Sequence, residues 1–343
     1  MLTELSDIGV ELGVRVTTDF KSGGLPVLVE PEFHPKKLSE RADIPWHPYK
    51  LAIKEVANAL LPKHGGVLFR GFTKGIGNPD YCHRFAKMFG NELLSYEFGS
   101  TPRTDLGEGV YTATEYPSHQ IIPLHNEQAY TLQWPLNIWF HCVTAPKLGG
   151  ETPIADSRRI YEKIPVDIRQ RFEQKKLLYV RNYGNGLDLP WSKVFNTDNR
   201  NDVESFCRNH HIGFQWKDDG ELKTWQLCQA TAKHLITNEW VWFNQAHLFH
   251  ISNVEESARE VLLDIVELED LPRNVYYGDG SEIEDAILEH IRGVLDEESI
   301  LFPWQEGDFL MLDNMLAAHG RSTFEGDRKV VVAMANGYDS TAQ

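Results

Sequence analysis

The C-terminal stretch restricts the fold of this chain more than any other. Trp304-Gln305-Glu306-Gly307-Asp308 reads as a turn and Phe309-Leu310-Met311-Leu312-Asp313 as a strand. Phe324-Glu325-Gly326-Asp327 reads as a tight reversal into a returning strand, Arg328 to Met334. Earlier apolar runs bounded by turn residues predict strands at Pro26–Glu30, Gly66–Phe72, Pro135–Val143, Glu151–Ala155, Leu177–Tyr183 and Trp240–Gln245. Helical spacing predicts helices from Tyr49 to a stop at Gly65-Gly66, from Asn78-Pro79-Asp80 to Gly90, and from Ser157 to Lys176 with a break at Pro165. Two more are expected near Glu255–Leu268 and Glu282–Glu298, the second with a packing stripe of Ile283, Ile287, Ile291 and Leu295. Many short strands, with helices grouped near the N-terminus and in the middle, point to a mainly β sandwich or jelly roll with helical decoration. They do not suggest alternating βαβ units.

A chain of 343 residues with nine tryptophans can bury a sizeable core, and a single domain spanning 1–343 is expected. Residues 184–235, rich in glycine, asparagine and polar stretches, read as a helical and loop insertion within it. A formal charge of −16 argues against a nucleic-acid or anionic-membrane partner. The four cysteines, Cys82, Cys142, Cys207 and Cys228, form no CxxC pair, which suits a reducing compartment. No run of 18 apolar residues and no leader-like start is present, so a cytoplasmic location is expected.

His125-Asn126-Glu127 puts an imidazole and a carboxylate two positions apart. On an extended segment both leave the same face, with Cα atoms roughly 6–7 Å apart, and converge on one metal ion. About two such pairs arise by chance in a chain of this make-up, so the one present needs a partner. Two histidines and one carboxylate with open positions form the donor set of non-haem Fe(II) oxygenases. His319 is the best third ligand, at or just after a strand; His141, His247 and His250 are rivals whose apolar or aromatic context packing alone explains. An oxidant drawn from 2-oxoglutarate also needs a cation for the distal carboxylate, best an arginine fork. Arg328 is favoured, on a strand expected to run antiparallel to that of His319, at ~5 Å between neighbours. Arg321 competes but is expected to be solvated, and the Thr152 hydroxyl is the candidate second donor.

These residues resemble a known family. His125-x-Glu127, Gly149-Gly150-Glu151-Thr152 and Trp304…Gly307-Asp308…Asp313-Asn314…His319-Gly320-Arg321…Arg328 look, in content and order, like the TauD/TfdA-like Fe(II)/2-oxoglutarate-dependent dioxygenase superfamily. Thr112-Ala113-Thr114-Glu115-Tyr116-Pro117 and Arg181-Asn182-Tyr183-Gly184-Asn185-Gly186 are similar to its clavaminate-synthase-like, SyrP-like branch. The resemblance runs from about residue 50 to 337. It implies a double-stranded β-helix, Fe(II) at His125, Glu127 and His319, and 2-oxoglutarate held by Thr152 and Arg328. It also implies dioxygen as the oxidant, with decarboxylation to succinate and CO2 coupled to attack on an unactivated C–H bond. Related halogenases replace the carboxylate with a small residue so that chloride binds, so Glu127 implies hydroxylation.

The substrate implied is an amino acid, free or tethered to a carrier protein, in a natural-product pathway such as antibiotic biosynthesis. Desaturation or oxidative cyclisation would use the same cofactors. A zinc hydrolase with these ligands lacks a general base at HExxH spacing, and a silent binding protein has no need of the full ligand set. Loop 99–123 and the insertion are expected to cover the substrate, with no individual substrate residue assigned; a homo-oligomer is left open.

Overall fold

Strand alternation explains the architecture. In the strand Lys329–Asp339, Val331, Ala333 and Ala335 point to one face and Val330, Val332 and Met334 to the other. Both faces are covered from Val330 to Ala335, so the sequence is apolar at each of those positions. In the computed structural model, which describes residues 13–18, 20, 24–32, 44–90, 92–95, 103–184, 186–218 and 220–342, this strand lies inside an eight-stranded sheet. The order is Val14–Thr17, Val27–Pro31, Gly66–Phe69, Phe309–Asp313, Gln133–Thr144, Lys329–Asp339, Val110–Thr112, Asp105–Gly107. On one face lie the helices Lys50–His64 and Asp80–Lys87, sharing a core of Val56, Leu60, Phe85, Trp139 and Phe309. The first helix ends where Gly65 turns left-handed (φ 77) and returns its N–H to Leu61 O, as the glycine pair predicted.

The other face meets a three-stranded sheet, Ile122–His125, Ala317–Arg321 and Ile154–Asp156, across a core containing Ile138, Phe140, Leu310, Ile154 and Ala317. Two sheets face to face, closed by the pair Leu148–Gly149 and Phe324–Glu325, make the expected jelly roll.

The C-terminal stretch is connected differently from the expected hairpin. Phe309–Asp313 and Lys329–Asp339 share a sheet but are separated by Gln133–Thr144, which pairs with both. Nor does Lys329–Asp339 pair with Ala317–Arg321. The Phe324–Glu325 contact with Leu148–Gly149 carries the chain over the sheet edge, so Arg328 reaches His319 across the sandwich and not along a ladder.

Segment 184–235 carries helices as expected, Trp191–Val194 and Arg200–Asn209, but also strands that the sequence reading did not place. Its strands Gly213–Trp216 and Leu222–Cys228 extend Leu177–Tyr183 and Arg273–Tyr277 into a four-stranded sheet. The buried face of Leu222–Cys228 carries Thr224 and Gln226 between Leu222 and Cys228, and that polarity hid the alternation in the sequence. Its core is shared with the helix Asp285–Glu298 through Leu288, Ile291 and Leu295.

Candidate active site

His125 and His319 face each other in antiparallel register, with ring centroids 4.6 Å apart. Close approach of their strands requires the neighbouring glycine: a Cβ on Gly320 would stand 2.5 Å from Ile122 O. Glu127 completes the cluster from a different backbone than expected. The strand ends at His125, and Glu127 lies in the following turn, where Gln128 has a φ of 55.

That turn is held by Asn314, which is fully buried. Its Oδ1 accepts the Glu127 N–H (2.7 Å), and its Nδ2 donates to Glu127 O and Pro135 O (2.9 Å each). Asn126 donates back to Asn314 O (2.6 Å) and to Ser157 Oγ (3.1 Å), and Gln245 donates to Asn126 O (2.7 Å). One donor atom from each of His125, Glu127 and His319 lies within 4.8 Å of the others, and among the described residues this is the metal-competent group.

The donor chemistry fits a divalent first-row ion such as Fe(II). Burial, opposed by Glu127, holds the His125 ring below its ordinary pKa. Burial, with His125 and Arg103 nearby, holds His319 well below it, so both imidazoles are neutral near pH 7. His125 Nδ1 lies 2.8 Å from Pro123 O, which fixes the proton there and turns Nε2 toward the cluster. His319 Nδ1 has no hydrogen-bond partner among the described residues, and Phe140 packs edge-on against the ring (5.0 Å). The rival histidines are structural. His141 binds Asp308 O and stacks on Phe309, His247 binds Leu124 O, and His250 caps the turn at Ser252.

A cavity beside the cluster is lined by Thr152, Phe140, His125, His319 and three arginines, Arg103, Arg321 and Arg328. Trp304 Nε1 donates to Thr152 Oγ1 (3.1 Å), so the hydroxyl keeps its own proton to donate. Arg328 anchors Nε on Gly150 O (2.8 Å); burial and the charge of Arg321 push its pKa down to about 10, so it stays a cation at neutral pH. Arg321, expected to be solvated, is buried instead. Its guanidinium gathers the carbonyls of Thr114, Tyr116, Pro117 and Gln120, tying residues 114–120 to the site wall.

Two participants were not legible in advance. Arg103 Nη2 sits 2.6 Å from Glu127 Oε2, with both side chains buried, and a partner 24 positions away leaves no periodic signal. Asn314 stood in a recognisable Asp-Asn pair, but nothing local pointed to Glu127.

A second, larger cavity of about 490 Å³ borders the residue after Glu127, lined by Gln128, Thr131, Trp134, Phe206, His210 and Gln226 among others.

The profile of the family described as "Taurine catabolism dioxygenase TauD, TfdA family" matches residues 34–334. The chain is 41% identical over 275 residues to the dapdiamide synthesis protein DdaC of Enterobacter agglomerans, covering 80% of this chain and 83% of that one. It is 32% identical over 292 residues to a clavaminate synthase-like protein of Arabidopsis thaliana, covering 82% and 84%. The crystal structure of a taurine dioxygenase from Burkholderia xenovorans has the same fold, with a TM-score of 0.51 at 16% identity over 95% of this chain and 90% of that one. The chain therefore belongs to the TauD, TfdA family and is an Fe(II)- and 2-oxoglutarate-dependent dioxygenase, not a zinc hydrolase or a silent binding protein.

Proposed function

We propose that His125, Glu127 and His319 hold the Fe(II), that Thr152 and Arg328 hold 2-oxoglutarate, and that the enzyme hydroxylates an unactivated C–H bond of an amino acid. The amino acid is free or carried on a carrier protein, in a natural-product pathway. The observation that carries this reading is the buried His-Glu-His cluster with an intact carboxylate. Fe(II) with 2-oxoglutarate and dioxygen supplies the oxidising power. The protein's own residues do the rest: the imidazoles stay neutral, Asn314 fixes the Glu127 backbone, the Thr152 hydroxyl donates, and Arg328 offers a fork for a terminal carboxylate. The cavity is only about 30 Å³, room for one or two waters, so a five-carbon diacid enters only when a side chain of the wall moves.

Similarity to a dapdiamide synthesis protein supports the pathway class. Segment 184–235 supplies Phe206, His210 and Gln226 to the wall of the cavity that Gln128 also lines. That shared wall also supports reading the chain as one catalytic domain. Four buried free thiols suit a reducing cytoplasmic setting, and among the described residues no helix is long and apolar enough to cross a membrane. The test is succinate release with Fe(II), ascorbate and 2-oxoglutarate across amino acids offered free and loaded on a carrier protein. Stimulation by one form names the substrate class; loaded iron with no stimulation by either counts against the reading.

A further inference from the structure

The Glu127 oxygen held by Arg103 is the one turned toward the cluster: Oε2 lies 2.6 Å from Arg103 Nη2 and 3.9 Å from His319 Nε2. Arg103 also lines the cavity with Arg321 and Arg328, and no aspartate or glutamate is among the lining residues. A divalent ion taken up by Glu127 would stand a few ångströms from the Arg103 guanidinium, like charge against like, at a side chain only 4% exposed. Arg328 answers one carboxylate of a diacid and Arg321 is held by four backbone carbonyls, so Arg103, once an ion takes its Glu127 oxygen, is the cation of this wall placed to meet a second carboxylate. The cavity is also too small for that diacid until a wall side chain moves, and Arg103 is a long one.

Resting on the metal assignment proposed above, we infer that Arg103 is a carboxylate receptor: it holds the Glu127 oxygen that the metal takes, then re-pairs with a carboxylate brought in by the ligands. That carboxylate belongs to the keto-acid end of 2-oxoglutarate or to the substrate, and the chemistry of recognition is the same, a bidentate guanidinium fork.

Calorimetry under anaerobic conditions tests this with Mn(II) and the inert analogue N-oxalylglycine, on apo wild type, Arg103→Gln and Arg103→Lys, each checked for folding by circular dichroism. Removing a like charge beside the ion should tighten Mn(II) binding by Arg103→Gln roughly tenfold. Loss of the fork should weaken one carboxylate roughly tenfold. A weakened N-oxalylglycine identifies the keto-acid end. A weakened L-amino acid, bound with Mn(II) and N-oxalylglycine present, identifies the substrate, provided its α-carboxamide is unaffected. Arg103→Lys, which keeps the charge without the fork, should restore Mn(II) affinity toward wild type and the carboxylate only in part. Weaker Mn(II) binding by Arg103→Gln would mean that Arg103 merely holds Glu127 in place and would overturn the inference, as would unchanged affinity for both carboxylates. Wild type that binds no Mn(II) would sink the metal assignment itself, a result distinguishable from either.

Discussion

His125 and His319 are cross-strand partners, and their rings meet at 4.6 Å because Gly320 lets the two strands close on each other. The pairing brings together two residues 194 positions apart without relying on a flexible loop.

Replacing His319 by alanine removes one of three donors. Fe(II) affinity should fall by more than roughly 100-fold, beyond what losing an outer-shell partner costs, while the fold is kept. Iron content after dialysis, read beside the circular dichroism spectrum, checks both halves of the expectation.

Asn314 touches no ligand atom, yet Asn314→Ala leaves the buried Glu127 N–H and C=O without their partner. About 1–3 kcal/mol of stability should go for each stranded group, with Fe(II) affinity down roughly 10–100-fold. Denaturant midpoints and metal titration measure the two effects separately.

Arg70 binds Asp308 through Nε and Nη2, the closest contact 2.7 Å, in a nearly dry setting. Arg70→Met would strand that carboxylate and should destabilise the protein by about 3–5 kcal/mol. Asp308→Asn in the same background should recover part of the loss, which a double-mutant cycle in urea would show.

Burial pushes both His141 and His247 down to about 4 from their ordinary value of 6.5. Their unfolded forms take up protons first as pH falls. Their contribution is therefore complete above pH 6.5 and lost between there and about 4, up to roughly 3 kcal/mol each. The apo protein's melting temperature should drop through that window. His247→Gln, which cannot be charged, should flatten the drop; an unchanged slope would contradict it.

The clustering of His125, Glu127 and His319 was legible in the sequence because its signals are local: a period-two pair at His125 and Glu127, and a histidine inside a turn-rich C-terminal strand. The core was legible for the same reason, since runs such as Val330 to Met334 have only one reading as doubly covered strands. What the sequence hid was connectivity over the sheet edge. Two residues, Phe324 and Glu325, pair with Leu148 and Gly149 and so place Arg328 opposite His319 instead of beside it. It also hid groups defined only by a distant partner: Arg103 against Glu127, Asn314 against a turn backbone, Arg321 against four carbonyls. The polar inward face of Leu222–Cys228 hid a whole strand, because alternation is read from hydrophobicity alone.

The most direct test of the central claim compares succinate formation by Fe(II)-reconstituted wild type with Glu127→Ala under matched iron, 2-oxoglutarate and dioxygen. Wild type should form succinate, with none when iron or dioxygen is withheld, and the variant should lose roughly 100-fold or more of it. Turnover that persists without dioxygen, or that survives Glu127→Ala undiminished, would contradict that claim.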